Sequence, residues 1–308
     1  PSFIINRFQR VRFGIDIKRD SKQNLMWVDP YNFNESSDET YTKNFLIPSI
    51  EYSFDNTLWY ETYPIKGRRL SFKHINSILP DSEDFPSLQF NSITFDLRQY
   101  LEITNGISSA LRIFGGHFSG SDVSDAASFR VGGTTYLPFF NKAKYHHYYD
   151  VQYFDPVYYD TYVMPLRGVP IGAKYGKNTL LMNMEVRLPF LLYYFPSIKV
   201  LGKINGVIFS DLGVTWDNSF PEFGNSESWI INDFDGYRLY ADSDIQSEDD
   251  FDGQDRLINN EGWVWSFGLG PRFILFGLPW QLDVAWLYNP TTKEFSSKRW
   301  YLSIGLDY

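Results

Sequence analysis

Two short motifs hold the residues best suited to a specific interaction. Leu166-Arg167-Gly168-Val169-Pro170 offers a guanidinium beside a glycine, and Phe209-Ser210-Asp211-Leu212-Gly213 offers a carboxylate between an aromatic and a glycine. A guanidinium and a carboxylate can join through two parallel charge-assisted hydrogen bonds, and glycine lets backbone come close. Arg167, Gly168, Phe209, Asp211 and Gly213 are therefore the first candidate site, with Arg167 pairing to Asp211. The plainer alternative leaves Arg167 in solvent and Asp211 capping a turn. A second candidate is acidic: Asp-Phe-Asp-Gly occurs at 233–236 and again at 250–253, so Asp233, Asp235, Asp250 and Asp252 could hold a weakly bound calcium ion. The spacing lacks the closing Glu of an EF-hand, which favours a solvated acidic loop over a metal site.

Covalent chemistry finds less support. His74, His117, His146 and His147 are the only histidines, and Ser119, Ser121 and Asp122 follow His117. A hydrolytic site would need nucleophile and base within hydrogen-bond reach, and no nucleophile-elbow sequence is present. His146-His147 lacks further ligands at metal-binding spacing. The chain is expected to be no enzyme and to carry no cofactor.

The elements that must position these residues are strands. The chain has 308 residues, 19% of them aromatic, with a mean hydropathy of −0.31. No run of about 20 apolar residues exists, so helical membrane spans are excluded. A membrane barrel, by contrast, hides its hydrophobicity in alternation and needs aromatic girdles. Alternation and turn residues mark about ten strands, at 10–18, 44–54, 67–76, 89–101, 106–117, 178–189, 201–212, 262–275, 279–289 and 299–308.

Each strand divides into two faces, because successive side chains point to opposite sides. Leu180, Met182, Met184, Val186 and Leu188 oppose Asn183, Glu185 and Arg187; Leu282, Val284, Trp286 and Tyr288 oppose Gln281, Asp283 and Ala285. Trp263, Trp265, Phe267 and Leu269 oppose Ser266, Gly268, Gly270 and Arg272, and Val11, Phe13, Ile15 and Ile17 oppose Arg12, Asp16 and Lys18. Ile93, Phe95 and Leu97 likewise oppose Thr94, Asp96 and Arg98. Arg or Lys facing mid-bilayer hydrocarbon costs about 2–4 kcal/mol. The charged face is thus expected to look into a lumen and the apolar face to meet lipid, with Arg167 on a loop folding inward.

Short turns at 103–106 and 275–279 alternate with longer connections at 19–43, 77–88, 118–177, 213–261 and 290–298. In bacterial outer-membrane barrels the short turns are periplasmic, so both chain ends are expected on the periplasmic side, with 213–261 an acidic extracellular loop. Residues 1–308 read as one barrel domain. A soluble sandwich or propeller would show similar alternation, but its outer faces should not carry Trp, Met and Leu. Cysteine is absent, and a net charge of −9 without a basic stretch gives nucleic-acid binding no support. The first residue is Pro rather than Met, consistent with a removed leader or with a longer parent chain.

The two motifs, in this order and followed by the terminal strand, resemble the barrels of the outer-membrane protein assembly-factor and bacterial surface antigen superfamily. The resemblance extends to Tyr60–Arg69 with Pro64, Gly67 and Arg68 after Asp55, to Phe129-Arg130-Val131-Gly132-Gly133, and to Leu181–Pro189. The closing Trp300–Tyr308, with Leu302, Ile304, Gly305, Leu306 and Tyr308, is similar to that superfamily's C-terminal assembly signal. Leu166 and Val169 depart from the usual Val or Ile before the Arg and aromatic after the Gly. The Tyr-rich insertion between Gly133 and Leu166 is similar to a branch whose barrel follows a Tol-associated β-propeller.

The resemblance implies an inward loop whose Arg-Gly tip, Arg167-Gly168, contacts the strand bearing Phe209, Asp211 and Gly213. It also implies that the ten strands are the last ten of sixteen, so the chain is expected to be the C-terminal part of a larger barrel. The implied function is to help insert or translocate polypeptides at the outer membrane, with lipid and protein subunits or client barrels as partners. The alternatives are a structural barrel anchoring a propeller, lipoprotein or surface complex, and a passive pore.

Overall fold

The computed structural model describes residues 1–23, 40–60, 63–82, 86–104, 106–123, 127–134, 159–169, 172, 174–189, 204–223, 231–233, 238–240, 262–290, 293–295 and 298–305. In chain order the strands are β1 (Ser2–Asn6), β2 (Gln9–Gln23), β3 (Thr40–Asp55), β4 (Leu58–Tyr60), β5 (Tyr63–Ser77), β6 (Phe90–Thr104), β7 (Ile107–Ser119), β8 (Ala127–Val131), β9 (Tyr159–Val163), β10 (Lys174–Gly176), β11 (Asn178–Leu188), β12 (Asn205–Trp216), β13 (Ile231–Asp233), β14 (Arg238–Tyr240), β15 (Gly262–Leu275), β16 (Leu278–Asn289), β17 (Glu294–Phe295) and β18 (Arg299–Ile304).

The main sheet runs β1-β2-β3-β5-β6-β7-β11-β12-β15-β16, with β18 also on β16 and every pair antiparallel. All ten expected strands are present, and β1 with the short β4 on β5 and β17 on β16 brings the described sheet to thirteen. The strands β2 and β3 are longer than expected, pairing from Gln9↔Phe54 up to Gln23↔Thr40. Among the described residues no pairing joins β1 to β18. The turn between β15 and β16 contains Phe276 at φ 54° and Gly277 at φ 77°, the two positive angles that a type I′ hairpin requires. No helix among the described residues is long and apolar enough to cross a membrane.

Burial inverts the pattern of a soluble protein. Along β11, Asn183, Glu185 and Arg187 are each 1% exposed, whereas Met182 and Met184 are 37% and 50% exposed. Phe13, Ile15, Ile17, Ile208 and Leu269 are also exposed on the apolar side. Water outside would penalise this arrangement on both faces, while hydrocarbon outside and a polar lumen inside stabilise it. The fold is a transmembrane antiparallel β-barrel sheet. Trp263 departs from its expected lipid contact: Phe220 and Phe223 meet it edge-to-face at 5.5 and 5.0 Å between ring centres, and its Nε1 donates to Pro221 O at 3.0 Å. The chain beyond β12 folds back over the outer face there.

The connection between β7 and β11 carries a small sheet, β10-β8-β9, in which β8 and β9 run parallel. All five residues of β8 are buried. Phe129 and Val131 of β8 and Val163 of β9 join Phe45, Phe90, Phe114 and Phe118 of the main sheet in one apolar cluster. Gly116 makes room for this: a Cβ there would lie 2.4 Å from the Phe129 ring. The described parts of this connection therefore pack on the inner face of the sheet.

Candidate functional site: a charged cluster holding the inward loop

The inner face of β11, β12, β15 and β16 gathers six charges with no water-facing side. Asp211 stands opposite Asn183 in the β11–β12 register, and Glu185 stands opposite Phe209. Arg167 comes down on this surface from the inward loop. Its Nε and Nη2 donate to the two oxygens of Asp211 at 2.7 and 2.8 Å, and Nη1 donates to Glu185 Oε1 at 2.9 Å. The other Glu185 oxygen takes Arg187 at 3.0 Å, and Asp283, 3.8 Å from Arg167, takes Arg272 at 2.7 Å. Arg167, Arg187 and Arg272 balance Glu185, Asp211 and Asp283, so the cluster is neutral. A buried charge is tolerable only with such compensation.

Shape completes the fit. The guanidinium of Arg167 lies 3.4 Å from the centre of the Phe209 ring, a stacking that its planar, weakly hydrated cation suits. Gly268 lets Phe209 lie flat, since a Cβ there would be 2.1 Å from its ring, and Gly270 leaves space for the Asp283 carboxylate, which would lie 2.5 Å from a Cβ added at Gly270. Gly213 similarly admits Leu166, whose Cδ2 would be 2.8 Å from an added Cβ. The small residues of the lumen face thus make room for the Phe209 ring and the Asp283 carboxylate that receive Arg167, and at Gly213 for the loop tip itself.

The backbone of the tip is held at nearly every peptide. Arg112 donates to Met164 O, and Asn183 donates to Pro165 O at 2.7 Å. Leu166 exchanges two 2.8 Å backbone bonds with Gly133. Arg167 N–H reaches Asp211 at 3.0 Å, Gly168 N–H donates to the Tyr301 hydroxyl at 2.9 Å, and that hydroxyl donates to Val169 O at 3.2 Å. Gly168 sits at φ +100°, a region that L side chains avoid. Beneath the tip, Asp96 takes Arg98 and Arg112 at 2.8 Å each. Toward β5, Arg187 donates to Pro64 O at 3.1 Å.

The five residues singled out in the two motifs are brought together. What sequence alone does not supply is the remainder of the cluster: the alternation turns Glu185, Arg187, Arg272 and Asp283 inward without naming their partners, and it does not single out Tyr301 at all. In that strand Leu302 pairs with Leu282 and Ile304 with Trp280, and Gly305 N donates to Pro279 O at 3.1 Å. Leu306 and Tyr308 lie outside the described residues, as do Asp235, Asp250, Asp252, His146 and His147. Asp233 ends β13. His117 Nδ1 pairs with Asn178 Oδ1, while Asp122 accepts the Gln89 N–H at 2.8 Å, and His74 stands between Ile50 and Ile93. Asp55 ion-pairs with Arg69 at 2.8 Å and Asn56 accepts Arg68 N–H at 2.7 Å, closing the turn before β5.

An antiparallel sheet with an apolar exterior, a charged interior and a loop fastened inside it defines the barrel class of transmembrane protein. Among solved structures the chain is similar to BamA from Haemophilus ducreyi, in a crystal structure lacking POTRA domains 1–3: the TM-score is 0.56 at 12% identity, covering 99% of this chain and 52% of that one. The chain thus spans about half the length of that BamA chain, and at this identity the likeness is one of fold. No family model and no curated protein sequence matches the chain.

Proposed function

We propose that the chain is the barrel of an outer-membrane assembly or translocation factor, helping polypeptides to insert into or cross the outer membrane without covalent chemistry or a cofactor. The observation that carries this reading is the tie between loop and last strand. The tip is bound at once to the middle of the sheet through Asp211 and Glu185 and to β18 through Tyr301. A loop held this way links what happens in the lumen to the position of the strand at the sheet's C-terminal edge. A rigid anchor needs no such link. On this reading both ends face the periplasm, the surrounding lipid and protein subunits or client barrels are the partners, and the likeness of the Tyr-rich sequence between Gly133 and Leu166 to the branch associated with a Tol-linked propeller supports a kinship with that branch.

Depletion in the native host tests the proposal. Broad loss of outer-membrane barrels, or of one exported class, supports it. Loss of a single partner complex with other outer-membrane proteins unchanged would instead identify a structural anchor.

A further inference from the structure

The net charge of the chain is −9, yet the outer face carries a local excess of cations at the end of the sheet where its turns are short. Arg7 lies in the turn between β1 and β2, and Lys66 and Arg68 lie at the start of β5; all three are exposed. Every second residue of a strand shares a face, and none of the outward residues of β1, β2, β3 or β5 is Asp or Glu. Asp55, at the foot of β3, is turned inward and taken by Arg69 at 2.8 Å. Two other turns at the same end, 103–106 and 275–278, contain no charged residue. Among the described turns at this end the cations are thus confined to one stretch of the rim.

Both arginines are held in place. Asn6 Oδ1 accepts the Phe8 N–H at 2.9 Å, which fixes the turn between β1 and β2, and Phe8 packs on Phe54 with 6.3 Å between ring centres. The Arg7 guanidinium lies 4.4 Å from the centre of the Phe8 ring, a stacking that keeps a weakly hydrated cation on an apolar surface. On β6, Gln99 Nε2 donates to Gly67 O at 3.0 Å and to Tyr100 O at 3.2 Å, which turns its Oε1 to accept from Arg68 Nε at 2.9 Å. Only Nε of Arg68 is used among the described residues, so its two Nη groups, a fork that suits phosphate, remain for a ligand. Hydrogen bonds set the two arginines level: Asp55 N–H donates to Phe8 O at 2.9 Å, Asn56 N–H to Arg68 O at 3.1 Å, and Arg68 N–H to Asn56 Oδ1 at 2.7 Å. Phe8 and Arg68 therefore stand at one height on either side of the foot of β3, about 10 Å apart, close enough for both cations to meet one phosphodiester.

Their height is that of the lipid head groups. Above them the outward face of β3 is apolar from Phe54 through Tyr52, Ile50 and Pro48 to Leu46. Eight residue steps cover about 26 Å along a strand, or roughly 20 Å of membrane normal at a tilt near 40°, most of a usual apolar band of about 25 Å. The first residues of β5 leave the outer side open, since Arg187 holds Pro64 O from the lumen at 3.1 Å. We propose that Arg7 and Arg68, with Lys66 beside them, bind the head group of an anionic phospholipid in the leaflet on the short-turn side, its acyl chains lying on Phe54, Leu70 and Phe72. A zwitterionic lipid brings its own cation to the same phosphate and gains less from the pair. The inference rests on the transmembrane fold alone and is independent of the assembly reading.

Because the chain contains no cysteine, one fluorophore can be attached at Phe72→Cys, above the site, or at Leu269→Cys on β15 as a control; both side chains are exposed on the outer face. Each labelled full-length protein is placed in phosphatidylcholine vesicles holding a minor fraction of acyl-brominated phosphatidylglycerol or, in a parallel sample, of acyl-brominated phosphatidylcholine. The ratio of the two quenching efficiencies reads the local enrichment of the anionic lipid. It should be about fivefold higher at 72 than at 269, the effect of one basic residue beside an anionic lipid, and should fall toward the control in about 1 M salt, where the Debye length is about 3 Å. Arg7→Gln/Arg68→Gln should bring the ratio at 72 down to that at 269, whereas Arg7→Lys/Arg68→Lys should retain most of the excess. Equal ratios at 72 and 269 in the parent overturn the site, and an excess unmoved by salt or by the Gln pair overturns the role of the arginines. Heat-modifiable gel mobility checks that every variant is folded, and the salt series tests the native arginines should the Gln pair fail to fold.

Discussion

Replacing Arg167 by Ala removes three side-chain hydrogen bonds, two to Asp211 and one to Glu185. Charge-assisted bonds are worth about 1.5–3 kcal/mol each, so a simple sum would reach roughly 4.5–9 kcal/mol. The surroundings argue for less. Glu185 keeps Arg187, and Asp283 keeps Arg272. Only Asp211 is stranded, with Asn183 Nδ2 at 2.8 Å as its remaining side-chain donor. One uncompensated buried carboxylate sets the scale, giving about 3–5 kcal/mol. The assay is urea unfolding of the barrel in lipid, followed by tryptophan fluorescence and heat-modifiable mobility, with limited proteolysis of the 118–177 loop. Asp211→Ala completes a double-mutant cycle, in which the pair should show a coupling of roughly 2–3 kcal/mol because the second substitution removes the stranded charge. Additive effects within about 0.5 kcal/mol, with the loop equally protected in every variant, would refute the idea that this pair fastens it.

Gly168→Ala should destabilise the barrel by about 1–3 kcal/mol through the left-handed backbone alone, since φ is +100° and the new Cβ would also meet Leu287 at 2.7 Å; the same unfolding assay measures it. Tyr301→Phe keeps the ring and deletes the hydroxyl, leaving Gly168 N–H without its acceptor. A loss of about 1–3 kcal/mol is expected, with faster proteolysis of the tip. Met184→Arg, on the lipid face, should cost about 2–4 kcal/mol, and a neutral result would contradict a membrane outside that strand.

The faces of the long strands were legible because hydrocarbon and lumen impose opposite demands at a two-residue period, and β11 shows this from Met182 to Leu188, with Leu181 before them an apolar residue on the inward side, packed in the inner cluster. Where one demand lapses, so does the signal. The upper parts of β2 and β3 carry Lys18-Arg19-Asp20-Ser21 opposite Lys43 and Asn44, and continue their ladder where no apolar face is required, so the sequence looks like loop. Ser2-Phe3-Ile4-Ile5-Asn6 is apolar without alternation, and β8 is buried on both sides; neither announces a strand by period. The site was readable as a pair because arginine and aspartate sat in distinctive glycine motifs. Its other members were not, since the bond from Gly168 to Tyr301 spans 133 residues and no local pattern encodes it.

Through Arg167 and its neighbours the cluster reaches strands that are distant along the sheet: Pro64 on β5, Glu185 on β11, Asp211 on β12, Asp283 on β16 and Tyr301 on β18. Mechanically this is a rivet through a curved plate. An unriveted sheet drawn from its C-terminal edge peels one strand at a time, each ladder yielding under a small load. Here the edge strand and the middle of the plate share one fastening, so curvature and edge position become a single degree of freedom, and a load applied at β18 is felt at once beneath the turn that opens β5.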